Sequence, residues 1–318
     1  MSPPRCAVSI DLDALSCYYR IHGLGQLPDG LESIILQRCL PRFIELFQER
    51  GISATFFVVG IDIDSGASGS RAKAARQVLK SAIDAGHELG NHSYSHPYEM
   101  ARLSADEVST EIARAHDLIS GLGTEVVGFR APGYDVSAAM LRELDGAGYL
   151  YDSSVFPAPG YYAAKLAVLT AMKALGRKSG AVITNPLALT APTRPYRPSL
   201  RAPWRRGHSR VVELPIAVTP GLRIPAIGTS LLVAPEPLRD RILSGVMGEE
   251  FFNFELHGID LADAEDDGIP GELVSRQPDL HLSYAEKRGR LSAILDKLEE
   301  RFEFATLADV AGQVQARV

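Results

Sequence analysis

Two pairs of residues in this chain have the types and the spacing that metal chemistry needs. Asp11 and Asp13, in SIDLDAL, are two apart at the end of an apolar run, so on an extended strand both carboxylates point to one side. His92 and His96, in GHELGNHSYSHP, are four apart, and one helical turn would aim both imidazoles the same way. Pro97 stops any helix there and places the histidines in a loop. Either pair alone has an ordinary explanation: an isolated D-x-D is more often a helix cap, and a bare H-x-x-x-H two surface or capping histidines. Two close acids otherwise imply a cation or a shared proton between them. One aspartate with two histidines suits Zn²⁺ or a similar divalent ion and leaves positions open for water and substrate.

Such residues act only if the chain brings them together. RCAVSIDLD (5–13), ISATFFVVG (52–60), ELGNHS (88–93), EVVGFRAPG (125–133) and YLYDSSV (149–155) read as short buried strands that end in polar residues. Helical patterns lie between them. One covers 32–50, interrupted by Pro41 and closed by Gly51; others cover 70–87, 103–123, opened by a Ser104/Glu107 capping box, and 135–148. This alternation predicts a mostly parallel α/β sheet or barrel with its site at the carboxyl ends of the strands. Residues 156–210 break the rhythm with the apolar run YYAAKLAVLTAMKALGRKS and a Pro/Thr/Arg-rich stretch. Alternation returns in VVELPIAVTP, NFELHGIDL and a final helix, strand and helix. The economical reading is one domain, 1–318, decorated by an insertion at about 156–210.

Bulk properties narrow the function. A chain of 318 residues with 46% hydrophobic and 23% charged residues has ordinary soluble-protein composition and can bury a large core. A formal charge of −6 argues against nucleic acid as a partner. Cys6, Cys17 and Cys39 are too scattered for a disulfide framework or a zinc ribbon and fit a reducing compartment. The N-terminal MSPPRCAVSIDLD has no cationic segment followed by an apolar one, and no apolar run reaches transmembrane length, so the expected location is the cytoplasm.

Five landmarks occur in a fixed order: SIDLD, NHSYSHP, FRAPGYD, GYLYDSSVFP and FELHGID, from Val8 to about Asp260. In these the chain resembles the polysaccharide deacetylases, the NodB-like or carbohydrate esterase family 4. The resemblance implies a distorted (β/α) barrel in which Asp13, His92 and His96 hold the metal, zinc or else Co²⁺, Mn²⁺ or Ni²⁺. It implies Asp11 as general base, Arg130 as its cationic partner and His257 as the acid that protonates the departing amine. Two departures stand out. Leu12 separates the acids, a D-x-D pattern resembling cytoplasmic and lipid-linked-sugar deacylases, and FRAPGY replaces the usual Arg-x-Pro-Tyr-Gly. Pro132, Gly133 and Tyr134 would then meet substrate, with an amide of Gly133 or Tyr134 as oxyanion donor. Asp152, in YDSS, either lines the sugar pocket, orients the catalytic histidine or caps its turn.

The insertion bears on the substrate. Its apolar run, broken by Lys165 and Lys173 and ending in Arg177 and Lys178, is either a buried helix covering the barrel or an interfacial helix dipping into a membrane. Arg194, Arg197, Arg201, Arg205, Arg206 and Arg210 follow, a basic stretch suited to a phosphate or an anionic headgroup near the site mouth. The implied activity is metal-dependent removal of an acetyl or formyl group from an amino sugar, including a polyprenyl-phosphate-linked one, at the inner membrane face. Ring opening of a small cyclic amide or ureide, and carbohydrate binding without catalysis, are the alternatives.

Overall fold

The computed structural model describes residues 3–174, 176, 179–181 and 184–316. Its main sheet has eight strands: β1 (Arg5–Asp11), β2 (Thr55–Val58), β3 (Glu88–Asn91), β4 (Gly128–Phe129), β5 (Tyr151–Asp152), β8 (Val212–Glu213), β9 (Phe251–His257) and β10 (Glu303–Ala305). The hairpin β6 (Pro198–Ser199) and β7 (Ala202–Arg206) stands apart from it. Every pairing in the main sheet is parallel, in the order β10-β1-β2-β3-β4-β5-β8. Strand β1 is the hub. It pairs with β9 along Arg5–Asp11, with β10 through Arg5–Ala7 and with β2 through Ser9–Asp11.

The sheet curls into a half-barrel flanked by helices. Between the early strands run α1 (Leu15–His22), α2 (Leu40–Gln48), α3 (Gly60–Ile63), α4 (Ser65–Asp84), α5 (Ala105–Ser120) and α6 (Ala138–Ala147). Then come α7 (Pro159–Ala174), α8 (Gly228–Val233), α9 (Glu236–Val246), α10 (Gly271–Val274), α11 (Tyr284–Glu299) and α12 (Leu307–Ala316). The helix expected over 32–50 forms as one π turn, Ile35–Cys39, running into α2. Pro41 falls in the first turn of α2, where no intrahelical donor is lost, so it starts that helix rather than breaking it. The capping box on α5 is present, with Ser104 and Glu107 bonding each other's amides. Helix α1 directly follows the aspartate pair, where the sequence reading had no helix.

The two-residue period of β1 and β9 decides what goes inside. Cys6, Val8 and Ile10 of β1 and Phe252, Phe254 and Leu256 of β9 pack outward in the main core under the helices. Each large apolar side chain buried there stabilises the fold by roughly 1.5–3 kcal/mol. The alternate residues face the barrel interior in register, Ala7 beside Asn253, Ser9 beside Glu255, and Asp11 beside His257. Part of the interior is apolar, with Phe57, Tyr151, Val212 and Leu214 packed together with Leu307 and Val310 of α12. Towards the carboxyl ends of the strands it turns polar.

The insertion differs from a buried cover. Among the described residues of α7 only Tyr162 is buried, while Leu166 and Val168 are 54% and 58% exposed. Arg177 and Lys178, expected to end that helix, lie outside the described residues. No helix among the described residues is long and apolar enough to cross a membrane.

One close approach tests the barrel packing. A Cβ on Gly128 would lie 2.0 Å from the Tyr151 ring, itself fully buried and tied by its hydroxyl to Glu88 Oε1 at 2.7 Å. Gly128→Ala should therefore destabilise the protein by about 1–3 kcal/mol through overpacking. Urea unfolding measures this, and an unchanged midpoint would show that Tyr151 yields freely.

Candidate metal centre and catalytic cleft

His92 follows β3 directly, and its amide continues the ladder by donating to the Val58 carbonyl at 3.0 Å. The loop beyond is pinned from two sides. Glu111 of α5 accepts from the amides of Tyr94 and Ser95 and from the Ser95 hydroxyl, and Asn91 Oδ1 accepts from the Ser93 amide. Ser93 and His96 take positive φ, 64° and 56°, so the loop is a tight reversal rather than a helical turn. That reversal places both imidazoles against the end of β1. Asp13 Oδ1 lies 3.1 Å from His92 Nε2 and 3.1 Å from His96 Nε2.

All three side chains are buried, yet neither Asp13 Oδ1 nor His96 Nε2 has a hydrogen-bond partner. His92 Nδ1 is 2.7 Å from the Arg130 carbonyl, which only accepts, so the proton sits on Nδ1 and Nε2 presents its lone pair. Three buried donor atoms converging without bonding one another fit a divalent ion. Burial alone would raise the Asp13 carboxyl; the neighbouring His96 and His92 outweigh it and hold it well below the usual carboxylate range.

Arg130, just after β4, is fully buried at the centre of the barrel. Its Nη1 donates to Asp11 Oδ1 at 2.6 Å, its Nη2 to the hydroxyls of Ser9 and Ser153, and its Nε to the Ser153 carbonyl. The guanidinium also lies 4.2 Å from the centroid of the Phe57 ring. Asp11 is thereby fixed by one oxygen, while its Oδ2 is 3.8 Å from His92 Nε2.

His257 closes the site from the adjacent strand. Its Nδ1 lies 2.9 Å from Glu255 Oε1, and the Tyr134 hydroxyl donates to that oxygen at 3.0 Å and lies 3.3 Å from His257 Nε2. Burial pushes the imidazole down, but the Glu255 carboxylate pushes it up further and leaves it well above its usual value. The sequence reading missed Glu255. Its signal was present in FELH, since residues two apart on a strand share a face.

Asp11, Asp13, His92, Gly133, Tyr134 and His257 border one cleft of about 400 Å³. Pro132 is buried at the preceding turn, outside the cleft lining. Asp152 does not line the cleft either: it is buried, accepts from the Ser154 hydroxyl and sits beside Glu213. Of its three expected roles only the turn cap matches this placement. Burial raises Asp152 to about 6, with the hydrogen bonds it accepts pulling it back, while burial and the neighbouring Asp152 hold Glu213 well above its usual range, so the two form a buried structural acid pair. The arginines of 194–210 are also absent from the cleft lining. Arg194 pairs with Glu249 at 2.9 Å, and Arg205 and Arg206 are exposed on the separate hairpin. The wall beside the site comes instead from α7, with Ala164, Val168, Leu169 and Met172 around Lys165.

A half-barrel of parallel strands carries these acids and histidines at its carboxyl end, the place where barrels of this kind build their active sites. Residues 29–151 match the family model for polysaccharide deacetylase. The chain is 28% identical over 152 residues to the peptidoglycan deacetylase of Helicobacter pylori, covering 47% of this chain and 48% of that protein. It is 29% identical over 111 residues to the chitin deacetylase of Colletotrichum lindemuthianum, 34% of this chain and 42% of the other. The chain thus spans about half, or less, of the length of these curated relatives. In fold it superposes on a Mycobacterium smegmatis protein described as a polysaccharide deacetylase, with TM-score 0.61 and 18% identity, over 99% of this chain and 92% of that one. Residues 29–151 thus resemble the polysaccharide deacetylases in sequence, and the whole chain shares its fold with the Mycobacterium smegmatis protein.

The geometry makes the metal testable. Calorimetric titration with Zn²⁺ should show one site in the native protein and none when His92→Ala and His96→Ala are combined. Equal metal binding by the double variant would remove Asp13, His92 and His96 as the ligand set.

Proposed function

We propose that this chain is a metal-dependent N-deacylase, one catalytic domain that removes the acetyl or formyl group of an amino sugar. The observation that carries the reading is that two proton-handling groups stand beside the Asp13/His92/His96 cluster in the same cleft: Asp11 held by Arg130, and His257 held by Glu255. A carbohydrate-binding relative without catalysis needs neither. The deacetylase names of the relatives from Helicobacter pylori and Colletotrichum lindemuthianum support the same chemistry.

Asp13, His92 and His96 would hold the ion, and this donor set suits zinc, with Co²⁺, Mn²⁺ or Ni²⁺ as alternatives. A divalent ion, when bound, supplies Lewis acidity that eases ionisation of water and polarises the acyl carbonyl. Asp11 takes the proton of the attacking water through the oxygen that Arg130 leaves free. As the carbon–nitrogen bond breaks, His257 gives the proton on Nε2 to the nitrogen, and the products are a carboxylate and a free amino sugar. Glu255 favours the imidazolium needed for that step. The Tyr134 amide is committed to the Ala131 carbonyl at 3.1 Å, so we assign the oxyanion contact to the Gly133 amide, which borders the cleft.

The cleft wall supports a substrate with an apolar portion. Lys165, pushed down to about 8 by burial, is the cation that α7 offers there among apolar side chains. An amino sugar linked through phosphate to a polyprenyl chain matches both features. The exposed Leu166 and Val168 match a peripheral contact of α7 with a membrane surface.

Asp11→Asn and His257→Ala should each lower kcat by ~10²–10⁴-fold while metal content persists. Loss of metal in Asp11→Asn would make Asp11 a ligand instead of the base. Glu255→Gln removes the carboxylate that raises His257, so the acid form is lost at lower pH and the alkaline limb of the kcat profile should move to lower pH. A limb that stays in place would take the acid role away from His257.

The membrane contact has its own test. The protein should co-sediment with anionic phosphatidylglycerol vesicles, and Leu166→Glu should abolish this and depress activity on a lipid-linked sugar while sparing a short soluble analogue. Absence of vesicle binding by the native protein would make α7 a lid for a soluble substrate.

A further inference from the structure

We infer that Cys17, with Arg20 beside it on α1, is a positioning residue for the metal ligand His96. The inference rests on the metal-centre reading above.

The two histidine ligands are held in different ways. His92 continues strand β3, and its ring is fixed by a backbone carbonyl at 2.7 Å. His96 lies past the reversal at φ 56°, a conformation costly for a residue with a Cβ, so its orientation must be imposed by its surroundings. Helix α1 imposes it. Arg20 Nη2 donates to the His96 carbonyl at 3.2 Å and lies 3.6 Å from Cys17 Sγ, and Cys17 Sγ is 3.6 Å from His96 Nδ1. Tyr98 backs the same ring edge-on at 4.8 Å between centroids, with the Arg20 guanidinium 5.1 Å from the Tyr98 centroid.

A ligating histidine ordinarily passes its second N–H to a carbonyl or carboxylate, which fixes the tautomer and aims the other nitrogen at the ion. At His96 a thiol sulfur stands in that place. Sulfur accepts at longer range and more weakly than oxygen, so this ligand depends on the whole α1 clamp rather than on one strong bond. Cys17 and His96 both border a cavity of about 490 Å³ that shares no lining residue with the substrate cleft. Nothing bound in the cleft would therefore compensate for a missing sulfur. Among the described residues Cys6 and Cys39 are buried elsewhere in the main core, so Cys17 alone has this placement.

The test is metal affinity and the visible spectrum of the Co²⁺-loaded protein, with the full chain in each case. Cys17→Ala should weaken Zn²⁺ and Co²⁺ binding by about 10–100-fold, the range for losing such a partner, and shift the Co²⁺ ligand-field bands. Cys17→Ser, which keeps an acceptor, should recover part of the affinity and move the bands back. Native affinity and an unshifted spectrum in Cys17→Ala overturn the proposal. Arg20→Met removes the other half of the clamp without touching the thiol and covers the case in which Cys17→Ala does not fold. It should weaken binding several-fold, and no change overturns the clamp. His96→Ala separates the two levels. If it loses the ion while Cys17→Ala does not, the positioning role fails alone; if it binds as the native protein does, the metal-centre reading fails and the proposal with it.

Discussion

A guanidinium without access to water organises this barrel. Arg130 is fully buried, and such a charge is tolerated only when it is paired and its remaining donors are satisfied. Its partners come from two distant strands: Asp11 and Ser9 from β1, and the backbone and hydroxyl of Ser153 beyond β5. Asn253 of β9 completes the network through the same two serine hydroxyls. Removing one partner of a buried pair leaves an uncompensated charge, a loss of roughly 3–5 kcal/mol. The interaction therefore ties the strand ends together while it fixes the carboxylate proposed as base. Even the Arg130 carbonyl takes part, by setting the tautomer of His92.

Around that cation the acids and histidines are driven apart electrostatically. The imidazoles hold Asp13 low, Glu255 holds His257 high, and burial pushes Asp152 and Glu213 upward, Glu213 further through the charge of Asp152. Neighbouring groups with divergent proton affinities are the usual basis for dividing acid and base work in one site. Here the division follows the strands: the proposed base Asp11 stands on β1 and the proposed acid His257 on β9, in register across one pairing. The interior-facing alternation of two parallel strands thus sets the geometry of the proposed acid and base.

Helix α7 sets a different constraint. A helix apolar over most of its surface is stable when covered, yet α7 buries only Tyr162 among its described residues. One flank walls the cleft and the rest faces outward. Apolar surface beside the cleft has the character of a contact surface, not of core, and this joins the proposed substrate to the proposed membrane contact.

Much of this protein was legible in the chain itself. The short apolar strand runs and the helical patterns between them pointed to a parallel α/β architecture, because strands covered on both faces read as continuous apolar runs. The types and spacing of Asp11, Asp13, His92 and His96 marked the loops of the candidate metal centre, and Arg130 and His257 stood out through ordered motifs. Only the tertiary structure decided what those residues touch. Arg130 and Asp11 are 119 positions apart, and no local signal reports a contact closed by the curvature of the sheet. The same holds for Glu213 beside Asp152, which turned an expected substrate contact into a structural acid pair, and for Cys17 behind His96, where a helix packs against a loop far along the chain. The exposure of α7 was settled in the same way, since composition says that a helix is apolar and packing alone says whether anything covers it.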